Sequence, residues 1–248
     1  MSETVLALTH ALSMPHARRN LDDFLETALI QKWSPTQVLE AFLTTEADGR
    51  AAIGLKRRLG ILGIPENKTF DTFDTTQSSI PAPTINFLEA LTWIKNKENL
   101  VIAGPSGTGK THLIQALAHK CVTQGGKAKW MTMTNISEMV TSYQIDNTLS
   151  KQVKRLVNTD LLIIDDIGLL PVTDAGAQGL YRIIEAAYEK TSIALSSNIH
   201  PAKFDQLMPK TIATAAVDRL LHHAHMITTS GDSIRMSQAR NGKGVKTK

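Results

Sequence analysis

Residues 100–111 read LVIAGPSGTGKT, four apolar side chains running into glycines and small polar residues that close on a lysine and a threonine. The segment Gly104-Pro105-Ser106-Gly107-Thr108-Gly109-Lys110-Thr111 satisfies G-x-x-x-x-G-K-[ST] at every fixed position. It stands between an apolar run that reads as a strand and a helical stripe of Leu113, Ile114, Leu117, Ala118 and Cys121. The spelling has a physical basis. Glycines let backbone N–H groups turn inward on phosphate oxygens, and the helix that follows offers the positive end of its dipole. The reading is a P-loop for a nucleoside triphosphate, with Lys110 reaching the β- and γ-phosphates and the Thr111 hydroxyl holding Mg²⁺.

A P-loop needs a second strand beside it, and LLIIDDIGLLP at 161–171 supplies one. Two acids at the end of an oily strand are costly to bury unless a cation or a reacting group faces them. Asp165 is therefore expected to face the Mg²⁺, and Asp166 to orient the water that attacks the γ-phosphate; the plainer reading of Asp166 is a cap on the turn before Gly168. Two more short apolar runs, KWMTM (129–133) and SIALSS (192–197), alternate with helical stretches such as Leu180, Ile183, Ile184 and Ala187. This alternation predicts an α/β fold, a parallel sheet flanked by helices. The run at 192–197 ends in Ser196, Ser197 and Asn198, where open parallel sheets bind their ligands; the amide could touch the γ-phosphate or its water, or could simply close a turn.

Upstream, residues 1–65 read as helical throughout, a small N-terminal domain ahead of a core at 66–240 and a basic flexible tail at 241–248. Leu21, Phe24, Leu25, Ala28 and Leu29 form one stripe, and Val38, Leu39, Phe42 and Leu43 another. Ser34-Pro35-Thr36-Gln37 has the form of a capping box that starts a helix. A third amphipathic stretch, Asp48 to Leu62, carries Arg50, Lys56, Arg57 and Arg58, and IPENKTFDTFDTTQSSIPAP reads as a linker or surface loop. With 27 basic and 23 acidic residues the chain permits nucleic-acid binding without requiring it. One cysteine, no basic-then-apolar leader and no apolar run near the roughly 20 residues that span a bilayer predict a cytoplasmic protein without a membrane segment.

Taken together, GPSGTGKTHL, LLIIDDIGLLP, SIALSSN and AAVDRLLHHAHMITTSGDSIR resemble the IstB-like helper ATPases of bacterial insertion sequences, AAA+ proteins close to the DnaC helicase loaders. The resemblance implies an AAA+ core without a C-terminal lid. It makes Asp165 the magnesium-side acid, Asp166 the catalytic acid, Asn198 the sensor-1 group and Arg219 an arginine finger reaching a neighbouring subunit's ATP. Without it, Arg219 would read as half of a surface Asp-Arg pair. Arg235, in GDSIR, is a further candidate near the nucleotide. The expected activity is slow, assembly-dependent ATP hydrolysis by a homo-oligomer on duplex DNA that assists a transposase. Candidate DNA contacts are Lys151, Lys154 and Arg155 at helical spacing, the Arg50 to Arg58 segment with Arg57 and Arg58, and the basic tail. The chain departs from the family pattern in having Asp at 166, where many AAA+ proteins have Glu, and aliphatic residues at 167 and 234. Alternatives are a replicative helicase loader, a small-molecule P-loop kinase and a DNA-binding module with a structural ATP site. His222, His223 and His225 could suggest a metal, but companions at ligand spacing are lacking in sequence and adjacent histidines on a helix diverge.

Overall fold

The serine-proline start at residue 34 does what its spelling predicts. Ser34 N donates to Gln37 Oε1 at 2.8 Å and Gln37 N donates to Ser34 Oγ at 3.3 Å, a reciprocal cap on a long helix. The structure is a computed structural model that describes residues 3–144 and 148–240; the basic tail at 241–248 lies outside the described residues. Contacts divide the chain into two units, Met1–Ile61 and Leu62–Lys248.

The first unit is built on helices α1 (Glu3–Ala11), α2 (Pro15–Arg19), α3 (Leu21–Ile30) and α4 (Pro35–Leu62). The second and third amphipathic stretches are not separate: α4 runs through both, because no proline intervenes and an internal glycine costs a helix only about 1 kcal/mol. Gly49 serves packing, since a Cβ there would lie 2.1 Å from the His16 ring. One turn earlier, the buried Glu46 accepts from His16 N and Ala17 N at 2.9 and 3.0 Å and from Arg50 Nε at 2.7 Å. Arg50 also donates to Ser13 O, so this cation is tied within the unit. The two apolar stripes are only partly covered: Leu21 and Ala28 are buried, whereas Leu25, Leu29, Leu39 and Leu43 are exposed. A unit of about 60 residues buries a smaller share of its surface than a large domain does.

The second unit begins with the segment that read as a linker, yet Ile64, Phe73 and Ile80 in it are buried. A 3₁₀ turn at Thr75–Gln77 is capped by Asp74, which accepts from Thr76 N at 2.9 Å. Two short helices missed in sequence follow, α5 (Ala82–Glu89) and α6 (Thr92–Lys95), where the fully buried Trp93 donates from Nε1 to Leu88 O at 3.1 Å. The chain continues through β1 (Asn99–Ala103), α7 (Lys110–Thr123), β2 (Ala128–Thr132), α8 (Met133–Gln144), α9 (Leu149–Val157), β3 (Leu161–Ile167) and α10 (Asp174–Ala187). After β4 (Ser192–Ser197) come a 3₁₀ segment Pro201–Gln206, α11 (Lys210–Leu221), β5 (Ala224–Thr228) and α12 (Ile234–Arg240).

The five strands form one sheet in the order β2-β3-β4-β1-β5, with every pairing parallel. Leu100 to Ile102, Leu161 to Ile164 and Ile193 to Leu195 are buried, as strands covered on both faces require. Against them pack Leu113, Ile114 and Leu117 of α7 and Leu180 and Ile183 of α10. Cys121 is buried there too, and burial pushes its thiol up to about 11. Among the described residues only α12 follows β5, and no helix is long and apolar enough to cross a membrane. Because the strands are parallel, the ends of β1, β3 and β4 deliver the P-loop, the acid pair and Asn198 to the same edge of the sheet.

Candidate functional site

The acid pair owes its geometry to an irregularity in the sheet. Pairing of β3 with β4 is regular to Ile164↔Leu195, resumes at Ile167↔Ser197, and shifts register in between. Asp166 falls in that shift with φ at 61°, a left-handed conformation that non-glycine residues rarely adopt. In consequence Asp165 is buried, 3% exposed, and Asp166 is exposed. The buried Ser196 clamps this turn. Its hydroxyl donates to Asp165 Oδ1 and accepts from Asp166 N at 3.0 Å. Burial pushes the Asp165 carboxyl above its ordinary value; the Ser196 hydrogen bond opposes this, and the adjacent Asp166 charge adds to it. The side-chain partners of Asp165 are neutral hydroxyls, Ser196 and, at 3.5 Å, Thr111 Oγ1.

Opposite lies the P-loop, two of whose glycines are required by crowding. A Cβ on Gly104 would meet Thr229 O at 2.3 Å, and one on Gly107, at φ 85°, would meet Ser233 Oγ at 2.2 Å. Helix α7 starts at Lys110, directly after Gly109. The Lys110 ammonium is buried and donates to Gly104 O at 2.7 Å, Pro105 O at 2.8 Å and Asn198 Oδ1 at 3.0 Å. Burial holds it below the usual lysine range, the charges of Asp166 and Asp165 work the other way, and Arg235 adds to the depression. Ser106 Oγ also reaches Asn198 Oδ1, at 3.3 Å. The structure thus brings together Lys110, Thr111, Asp165, Asp166 and Asn198, and it places Arg235 and Ile234 on the wall of the same cleft of about 550 Å³.

Sequence reasoning missed one wall of this cleft. Asn67, Lys68, Thr72, Phe73, Asp74 and Gln77, from the segment taken as a linker, line it beside the P-loop. Phe73 meets His112 edge to face at 5.3 Å, and His112 Nε2 lies 3.3 Å from Thr72 Oγ1. The signal available was the pair Phe70 and Phe73 in an otherwise polar run, since a surface loop has little reason to hold two aromatics.

Arg219 is not brought to the cleft of its own chain. On α11 it donates from Nη1 to Ala215 O at 3.2 Å and lies over the Tyr181 ring, 5.5 Å from the centroid. Tyr181 lines a second cleft of about 560 Å³ with Val153, Lys154, Arg182, Glu185 and Ile212. Lys151, Lys154 and Arg155 are exposed on α9 while Leu149 and Val153 face inward, and Lys129 Nζ donates to Arg155 O. Arg57 and Arg58 are exposed on α4.

The histidine cluster differs from its sequence reading. Helix α11 stops at Leu221, so His222 and His223 leave it, and His225 belongs to β5, bonded to Glu98 at 2.7 Å. A carboxylate companion is present after all, because Glu189 comes from the α10–β4 turn to stand beside His222 and His223.

The chain matches the family model described as IstB-like ATP binding protein over residues 7–242. An ATP-binding protein of insertion sequence IS21 from Pseudomonas aeruginosa is 33% identical over 97% of this chain and 91% of its own length. Among solved structures, the DnaC helicase loader aligns with a TM-score of 0.56 at 17% identity, covering 66% of this chain and 98% of that one. The replication initiator DnaA bound to AMPPCP and single-stranded DNA aligns at 0.54 and 20% identity, covering 72% of this chain and 55% of that one. These two likenesses concern the fold alone.

Proposed function

The chain belongs to the IstB-like ATP-binding proteins, and from that premise we propose that it binds and hydrolyses ATP, assembles with copies of itself on duplex DNA and assists a transposase. The observation that carries the reading is that Lys110 and Thr111 line one cleft and that Thr111 is backed by the buried Asp165, an acid whose side-chain partners are all neutral. Such an acid beside a hydroxyl suits a hard cation with oxygen ligands, so Thr111 Oγ1 and Asp165 would hold Mg²⁺. When bound, magnesium supplies positive charge to the β- and γ-phosphate oxygens.

The chain's own groups do the rest. P-loop N–H groups and the start of α7 bind phosphate oxygens. Lys110, now satisfied by two backbone carbonyls, exchanges them for the β- and γ-phosphates. Asp166, turned outward by its left-handed backbone, orients the attacking water, and Asn198 touches the γ-phosphate or that water. Arg219, away from its own cleft, acts on the ATP of a neighbouring copy. Arg235 approaches the nucleotide from α12. Asp166 has a shorter reach than Glu, which supports slow turnover.

Ser196 is a positioning residue in this scheme, because one hydroxyl sets both the Asp165 carboxylate and the Asp166 backbone. Ser196→Ala is expected to lower kcat about tenfold or more while nucleotide affinity changes little, since P-loop contacts are untouched. A roughly tenfold rise in KM with kcat unchanged would show that the hydroxyl only supports binding.

DNA contact would run through Lys151, Lys154 and Arg155 and through Arg57 and Arg58, by charge to phosphates, hence tolerant of sequence and weakened by salt. Imaging the protein on long duplex DNA with ATP, ADP or no nucleotide tests the whole reading. Multi-subunit assemblies are expected with ATP alone; their absence, or capture of a replicative helicase in place of a transposase, would move the assignment to a loader. A small-molecule kinase is not favoured by any feature of the cleft.

A further inference from the structure

We propose that Glu189, His222 and His223 form a binding site for a divalent transition ion of the zinc class, separate from the nucleotide cleft and at the opposite end of the sheet. The three residues each offer one ligand atom, and those atoms lie within 4.8 Å of one another, close enough to share a single ion. Sequence separates the carboxylate from the imidazoles by more than 30 residues, and the fold closes that gap: α10 delivers Glu189 just before β4, and α11 delivers the histidines just before β5. Asn99 N, at the start of β1, donates to His223 O at 2.7 Å, which anchors the histidine pair to the sheet edge.

The arrangement is more ordered than three exposed side chains require. His222 caps the end of α11 with helical dihedrals, His223 follows it, and their rings sit 4.1 Å apart, centroid to centroid. The Tyr188 hydroxyl lies 2.7 Å from His222 Nδ1, and the two rings are stacked, fixing the plane of that imidazole. A partner on one ring nitrogen is what metal-ligating histidines commonly have. Glu189 holds φ at 57°, a place in a helix-ending turn where glycine or asparagine is the usual occupant. An outlier of this kind held by Lys190 N and Thr191 N, both donating to Ala187 O, presents the carboxylate toward the histidines; His223 Nε2 is 3.8 Å from Glu189 Oε1.

Two imidazoles and one carboxylate suit zinc, copper or nickel, and suit magnesium poorly, because Mg²⁺ prefers oxygen ligands and sheds water reluctantly. The remaining coordination positions would be filled by water. A bound ion would staple the turn after α10 to the turn after α11, and α11 carries Arg219 one turn upstream of His222.

Calorimetric titration of the full chain with Zn²⁺ alone, in the presence of millimolar Mg²⁺, tests this. One equivalent is expected to bind, with the melting temperature rising on addition, and affinity falling at least about tenfold in Glu189→Gln and in His223→Ala. The side chains of Glu189 and His223 are 60% and 52% exposed, so both variants should fold, which circular dichroism checks. No binding by the wild type, or binding that survives both substitutions, overturns the site. Binding that survives them but is lost in His225→Ala assigns the ion to the neighbouring His225–Glu98 pair and overturns it equally.

Discussion

Asp165→Asn is expected to melt at a higher temperature than the wild type without nucleotide and yet to hydrolyse ATP at least about a hundredfold more slowly. The two effects share one cause. Asp165 is buried against neutral partners, and burial lifts its carboxyl above the ordinary value, so its charged form opposes folding of the nucleotide-free protein. Asn keeps the shape, keeps an oxygen for Ser196 and carries no charge. The sign with pH follows. An acid raised in the folded state binds its proton more tightly there, so its cost is absent below the unfolded carboxyl value and grows as pH rises toward the folded one. The stability gap between Asn variant and wild type should therefore be present at neutral pH and close in acid, as thermal melts across pH would show. The rate loss follows because a catalytic ion is worth several kcal/mol and each 1.4 kcal/mol or so is about tenfold. A variant neither more stable nor slower would remove Asp165 from the cation's side of the cleft.

The second large effect belongs to Arg219. A guanidinium supplied to the γ-phosphate is worth roughly 10³ to 10⁵ in rate in well-studied cases. Arg219→Ala alone should therefore lose nearly all hydrolysis while still binding ATP, because the residue does not line its own chain's cleft. Lys110→Ala should lose activity for the opposite reason, through the phosphate grip. Mixed, the two inactive proteins should regain activity, since some interfaces then pair an intact P-loop with an intact arginine. Failure to recover at any mixing ratio would mean that Arg219 serves its own helix pair, holding Tyr181 of α10 from α11.

The P-loop, the parallel sheet and the acid strand were legible in sequence because each combines a fixed spelling with an apolar run, and both are local. What escaped depends on distance. Strand β5 has the sequence AHMIT, with one buried position among five, so it shows neither an apolar run nor a clean alternation. The segment from Ile64 to Ile80 is rich in threonine, aspartate and serine, which mark loops; that it packs on the P-loop depends on Phe73 and Ile80 finding a core elsewhere in the chain. The end of β3 was read as a pair of adjacent acids, but not how the chain separates one buried from one exposed. That needs the register shift against β4 and the hydroxyl of Ser196, 30 residues on. Glu189 and the histidine pair are joined only by the order of strands, which no spacing rule reveals. The stripe at 38–43 and the stretch from Asp48 to Leu62 were read as separate, whereas α4 runs through both and absorbs the glycines at 49, 54 and 60.

Cys121 has a practical consequence. A thiol buried in α7 and raised by that burial to about 11 is shielded from solvent and held in its unreactive protonated form, so maleimide dyes are expected to label the folded chain poorly. The protein is in effect already cysteine-free for labelling. A single Ser142→Cys on the exposed face of α8 would carry one fluorophore per subunit, leaving the core thiol in place, and subunits could be counted by photobleaching as they gather.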